Sequence, residues 1–322
     1  MEYSIYSWAR DWWNNMIGII SKEVKQQLKE NLKANSSEVD TPENEILRIQ
    51  DLESIFKISR EARTDSKKEV KEKLGTELSI VNLHITCCFL MTVSIPEMTH
   101  EIEEAIFPKS WSRDVGFNPD NIFKTLITQL TQHSISIVEL VSAGLDGSAR
   151  VLSRSTADLA WQILILLAFK KDLSLFVSAQ TSEDITKTWY ELFAKGRTQK
   201  KLIEIEKMLD IHSEVIERLA AQRKDDHQFF SESVHSGYAM AVVGTINWSF
   251  EEDAGAWSAF GGASSASRGT IAHLAQTLGY FCEIFILILN DIHHIYPDIK
   301  IESWRQFLLL QESIKDGIRR QD

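Results

Sequence analysis

From Gly147 to Asp172 the chain reads GSARVLSRSTADLAWQILILLAFKKD, apolar nearly all round a helix yet carrying Arg150, Arg154 and Asp158 at four-residue intervals. Successive helical residues turn by about 100°, so these three charges share one narrow sector, which Trp161, Ile165 and Ala168 continue. A solvated face does not turn into tryptophan and isoleucine. The charges therefore point into the protein, or into a cleft opening from it.

A helix of this kind needs apolar neighbours, and the rest of the chain supplies them. Only five prolines and fourteen glycines interrupt 322 residues, and between them the polar and apolar positions recur at helical spacing, which predicts an all-α fold. Helices are expected at 121–143, 147–172, 182–195, 198–222, 225–248, 268–296 and 301–320. Short turns join them, one framed by Gly144 and Gly147 and another closed by Lys195-Gly196. Short connections make antiparallel neighbours, so residues 111–322 read as a large up-and-down helical bundle. Residues 1–110 read as additional N-terminal helices packing on that body. They hold an aromatic-rich start with Tyr3, Tyr6, Trp8, Trp12 and Trp13, a start signal at Asp40-Thr41-Pro42, and an apolar run from Thr76 that Pro96 ends. The Gly- and Ser-rich stretch at 250–269 reads as a surface loop, with Trp257 and Phe260 as candidates for contacting a partner.

A net charge of −11 and a pI near 5.4 argue against a broad footprint for duplex nucleic acid, which needs clustered Lys and Arg. Three cysteines form neither a CxxC pattern nor an even-numbered framework, and the first residues lack a basic segment followed by an apolar one, so the cytoplasm is the expected location. Leu78–Ile95 and Ser233–Phe250 each run without Asp, Glu, Lys or Arg, but both hold several Ser, Thr, Asn or His. They read as buried bundle helices, and no transmembrane segment is expected.

A second polar face lies on the 225–248 segment, where His227, Ser231, His235 and Tyr238 fall together. Unpaired buried ions cost about 3–5 kcal/mol each, so Arg150, Arg154 and Asp158 must meet some group, and this face is the expected partner. Helix stabilisation accounts poorly for Arg154 and Asp158, since the better order puts the acid first. Together His235, Arg154, Asp158, Arg150, Ser231 and Tyr238 make a candidate acid/base centre, with His235 as the proton-transfer group and the arginines holding an anion. Glu232-x-x-His235 has the spacing of di-iron bundles, but a second motif and two further carboxylates are not established, so no metal or cofactor is assigned. Phosphate loops, nucleophile elbows and zinc spacings do not occur.

The pairing of GSARVLSRSTADLAWQILILL with a later FFSESVHSGYAM resembles an uncharacterised all-helical bacterial family, a domain of unknown function, over roughly residues 120–295. More remotely, the chain resembles the HEPN and abortive-infection helical bundles, many of which are metal-independent ribonucleases with an Arg-x4–6-His motif. Here Arg223 and His227 are separated by only three residues, so an arginine of the neighbouring helix, Arg150 or Arg154, would stand in. The resemblance implies a bacterial antiphage or toxin-type effector that acts on or binds RNA. The alternative is a non-catalytic scaffold whose buried charges are structural and which engages a protein partner or a second copy of itself.

Overall fold

A computed structural model describes residues 49–98, 106, 119–179, 181–234, 246–248, 255–257 and 264–319. The chain divides into two compact units, Met1–Glu61 and Ala62–Asp322, so residues 62–98 count with the larger unit. In the first unit the described residues, 49–61, are helical, with exposed Lys57 3.9 Å from Glu61 one turn on.

The fold is all-α, as the spacing predicts. Its helices are α1 (Ile49–Ser94), continued by a 3₁₀ turn at Ile95–Met98, α2 (Pro119–Ser142), α3 (Asp146–Ala168) and α4 (Lys170–Ser178). Then come α5 (Ser182–Leu192), α6 (Arg197–Met208), α7 (Ser213–Val234), α8 (Ser265–Leu287) and α9 (Glu302–Arg319). A π-turn at Ile288–Ile292 prolongs α8. In α1 the backbone leaves helical geometry at Leu74 (φ −123°, ψ 18°), immediately before Gly75, and two helical runs meet there at a kink.

Three boundaries differ from those expected. Phe169 adopts extended backbone (φ −114°, ψ 99°), so the helix expected to reach 172 closes at Ala168 and a new one begins. The expected break near 223 lies instead at 209–212, where Asp210 takes a left-handed conformation (φ 53°), and α7 runs unbroken through 222–225. The expected helix to 248 is not what residues 246–248 form: Ile246–Trp248 pairs antiparallel with Gly255–Trp257 in a small ribbon.

Helix α3 is the centre. It packs against α2, α6, α7 and α8, and Ile163, Leu164, Ile165, Leu166 and Leu167 are all wholly buried, which a helix tolerates only with neighbours on every side. The three cysteines, Cys87, Cys88 and Cys282, are free and buried in the same core, where burial raises the Cys282 thiol pKa. Cys282 Sγ lies 4.0 Å from Met91 Sδ. By length and composition Thr64–Met98, Asp146–Ala168 and Ala266–Ile292 are each able to cross a membrane, and here their apolar windows are 50%, 67% and 56% buried within the protein.

Candidate functional site

The charges on α3 form two ion pairs one turn apart. Asp146 lies in the first turn of the helix, where the amide dipoles favour a carboxylate. Arg150 Nε sits 2.9 Å from Asp146 Oδ2, and neither side chain is exposed. Thr270 Oγ1 donates to Asp146 Oδ1 (2.7 Å) and Ser264 Oγ to Oδ2 (3.3 Å), both from the α8 end of the bundle. The guanidinium lies 5.8 Å from the centroid of the Phe229 ring, and among the described residues its nitrogens meet no hydrogen-bond acceptor of suitable geometry. This pair is sealed from solvent.

The second pair is open. Arg154 Nη1 donates to Asp158 Oδ1 at 2.6 Å, with the two side chains 19% and 37% exposed. Both charges therefore do meet partners on their own helix, against the expectation that i,i+4 pairing would not account for them. Burial raises the Asp158 pKa, against the lowering effect of Arg154. His227 on α7 stands at the mouth and feels both: burial and then the Arg154 charge lower its pKa, while Asp158 acts to raise it. Ser231 Oγ lies 3.2 Å from His227 Nδ1. If Nδ1–H donates to the serine, Nε2 is left with its lone pair.

These groups line a cavity of about 380 Å³. Aromatic side chains line it from three helices: Trp161 on α3, Trp189 and Tyr190 on α5, and Phe230 on α7, with Lys195 and Gly196 beside them. Trp189 and Tyr190 are about half exposed and meet edge to face at 5.2 Å. The turn after α5 is possible because Lys195 and Gly196 both adopt positive φ (56° and 76°), the conformation glycine takes without strain.

Arg223, which lines the cavity, is held in a polar network behind it. Arg223 donates through Nη1 and Nη2 to the two oxygens of wholly buried Glu206 (2.6 and 3.1 Å), the bidentate arrangement that suits a guanidinium to a carboxylate. Tyr280 Oη adds a third donor to Glu206 Oε1 at 2.6 Å, and Arg223 also lies over the Tyr280 ring. Burial, with the Glu206 charge, keeps the phenol protonated well above its ordinary range. Nearby, His273 Nδ1 is 3.2 Å from Asp226 Oδ2, and Phe230 packs against the His273 ring at 4.2 Å.

Of the residues expected to act, Arg154 and Asp158 line the cavity and Ser231 reaches it through His227. Arg150 does not line it and belongs to the sealed pair. His235 and Tyr238 lie outside the described residues, as do the N-terminal aromatics and Phe260. The structure adds His227, Arg223, Asp226 and His273, and the aromatic pair Trp189-Tyr190. His227 was legible on the polar face of α7. Arg223 was legible only as a failed motif, and the α5 aromatics carried no signal of their own. Among the described residues no group of three or more His, Cys, Asp or Glu side chains is placed to hold a metal ion. No family model, no curated protein and no solved structure matches this chain.

Proposed function

We propose that this protein is a bacterial cytoplasmic effector that holds single-stranded RNA in the Arg154–Asp158–His227 cleft and cleaves it without a metal. The observation supporting this reading is the convergence of a paired arginine, a histidine with lowered pKa and a set of aromatic faces on one solvent-connected cavity. About 380 Å³ falls at the small end of ligand sites and suits one nucleotide. Aromatic faces stack bases without regard to sequence, and Trp189 and Tyr190 stand exposed where a base would enter. Arg154 would meet the phosphate, its charge already steered into the cleft by Asp158.

In this reading neutral His227 takes the proton of a ribose 2′-hydroxyl. The 2′-oxygen attacks phosphorus, the bond to the 5′-oxygen breaks, and that oxygen receives a proton from the imidazolium or from water. Because burial and Arg154 lower the His227 pKa, the base form prevails at neutral pH, and cleavage falls only below the ordinary histidine range of about 6.5. The test is cleavage of a fluorescent single-stranded oligoribonucleotide in the presence of a chelator. His227→Ala should slow it by about 10²–10⁴-fold, the usual contribution of a proton-transfer group. Equal rates for wild type and variant would overturn the proposal.

One observation favours the scaffold reading: Leu83, Phe89 and Val93 stand 41–56% exposed on α1, an apolar stripe of the sort that partners cover. On that reading Phe89→Asp shifts the sedimentation profile to a smaller species, whereas His227→Ala leaves it unchanged.

A further inference from the structure

A second cavity, of about 580 Å³, lies on the far side of Trp161, Arg223 and Asp226, which line both. Its walls come from α1, α3, α7, α8 and α9, and most of the surface they present is apolar, with Ile80, Val215, Leu219, Ile284, Leu287 and Ile314 contributing. We propose that this groove is a binding site for a single long acyl chain, a fatty acid in its simplest form, bound with the carboxyl end at Gln222 and Gln276.

The shape of the groove supports a chain. Lining residues run from Val215 to Asp226 along α7 and from Ala275 to Leu287 along α8, a length of about 16–18 Å at 1.5 Å per residue. A groove of that length is matched by an extended polymethylene chain lying along it. A peptide backbone would bring N–H and C=O groups along its whole length against a surface that is mostly apolar. A polymethylene chain brings none.

Thr277, Tyr280 and Gln311 add polar atoms to the lining, and of its charged residues Arg223 is held by Glu206 and Asp226 stands 3.2 Å from His273. At one end Gln222 Nε2 donates to Gln276 Oε1 at 2.7 Å, which leaves the Gln276 amide nitrogen to meet a carboxyl group at the exposed rim. At the other end Lys315 pairs with Glu283 at 2.5 Å, so the cation there is already neutralised and Ile211, Val215 and Leu287 receive the tail. Midway, His84 is 5% exposed and among the described residues its Nδ1 has no hydrogen-bond partner. Burial alone lowers its pKa to about 4, so it meets a ligand as a neutral ring. Gly279 keeps that wall open: a Cβ there would stand 3.2 Å from His84 Cε1, and no side chain intervenes between the ring and the α8 backbone.

Direct titration of the whole protein with cis-parinaric acid, a fluorescent fatty acid, tests the proposal. Wild type should enhance its fluorescence saturably, and hexadecanoic acid should displace it at lower concentration than octanoic acid. Ala275→Trp and Val215→Trp, each filling the groove from a different helix, should weaken binding at least tenfold, with far-ultraviolet circular dichroism confirming that each is folded. Arg154→Met, in the other cavity, should leave it unchanged. The proposal is overturned by absence of binding to wild type, by equal binding to both folded tryptophan variants, or by binding to phospholipid vesicles alone.

Discussion

Asp146–Arg150 and Arg154–Asp158 are the same two residue types, on one helix, one turn apart, and they have opposite surroundings. The first pair is sealed: neither side chain is exposed, two hydroxyls from the α8 end complete the carboxylate, and Phe229 lies beside the guanidinium. The second borders a cavity and leaves both side chains part-exposed. The order of the residues also reverses, acid before base in the sealed pair and base before acid in the open one. Only the first order complements the helix dipole. Two ion pairs in one sequence pattern can thus serve different ends, one fixing where the start of α3 docks and the other presenting charge to whatever enters the cleft.

The largest effect that could break this contrast is expected at the sealed pair. Asp146→Ala leaves Arg150 as a buried uncompensated cation and should cost about 3–5 kcal/mol in urea unfolding. Replacing both residues together, as Asp146→Leu with Arg150→Met, should recover most of that loss, because the desolvation cost of the charges goes with them. A double variant as unstable as the single would show that the pair does more than neutralise itself.

Next in size is a pH effect. The folded-state pKa of His84 is about 4 against an unfolded value near 6.5, so the unfolded chain takes up the proton first as pH falls. The contribution to stability is whole above about pH 6.5 and is lost progressively towards pH 4, amounting to about 3 kcal/mol. Unfolding of His84→Phe between pH 7 and 4.5 should show a shallower decline than wild type. Parallel curves would mean that the ring is hydrated in solution.

The smallest change in stability belongs to the open pair. Arg154→Met should alter unfolding by less than about 1 kcal/mol, as expected of a part-exposed pair, while weakening binding of the oligoribonucleotide about tenfold or more. Should it destabilise the fold as much as Asp146→Ala, the distinction between the two pairs would collapse.

The helical class was legible because periodicity at 3.6 residues survives any arrangement of the helices. Helix α3 does pack against α7, although its charges pair along their own helix rather than with the polar face expected on the other. The partner of Arg150 was missed for a local reason: Asp146 sits in the turn residues before the expected helix start, and the first turn was read as loop. The break at 209–212 escaped notice because Asp210 carries a positive φ that the sequence more readily assigns to glycine. Glu206, Arg223 and Tyr280 come from three separate helices, and no spacing along the chain records that they meet in one hydrogen-bonded network.

The three buried thiols provide a clock. A reagent that alkylates cysteine has no route to Cys87, Cys88 or Cys282 while the core is shut, so each modification records an opening event, and the rate under native conditions measures how often that part of the bundle comes apart. Cys87 and Cys88 report on α1 and Cys282 on α8, and comparing their rates would tell whether these helices separate together or in turn. No label or substitution has to be introduced to ask the question.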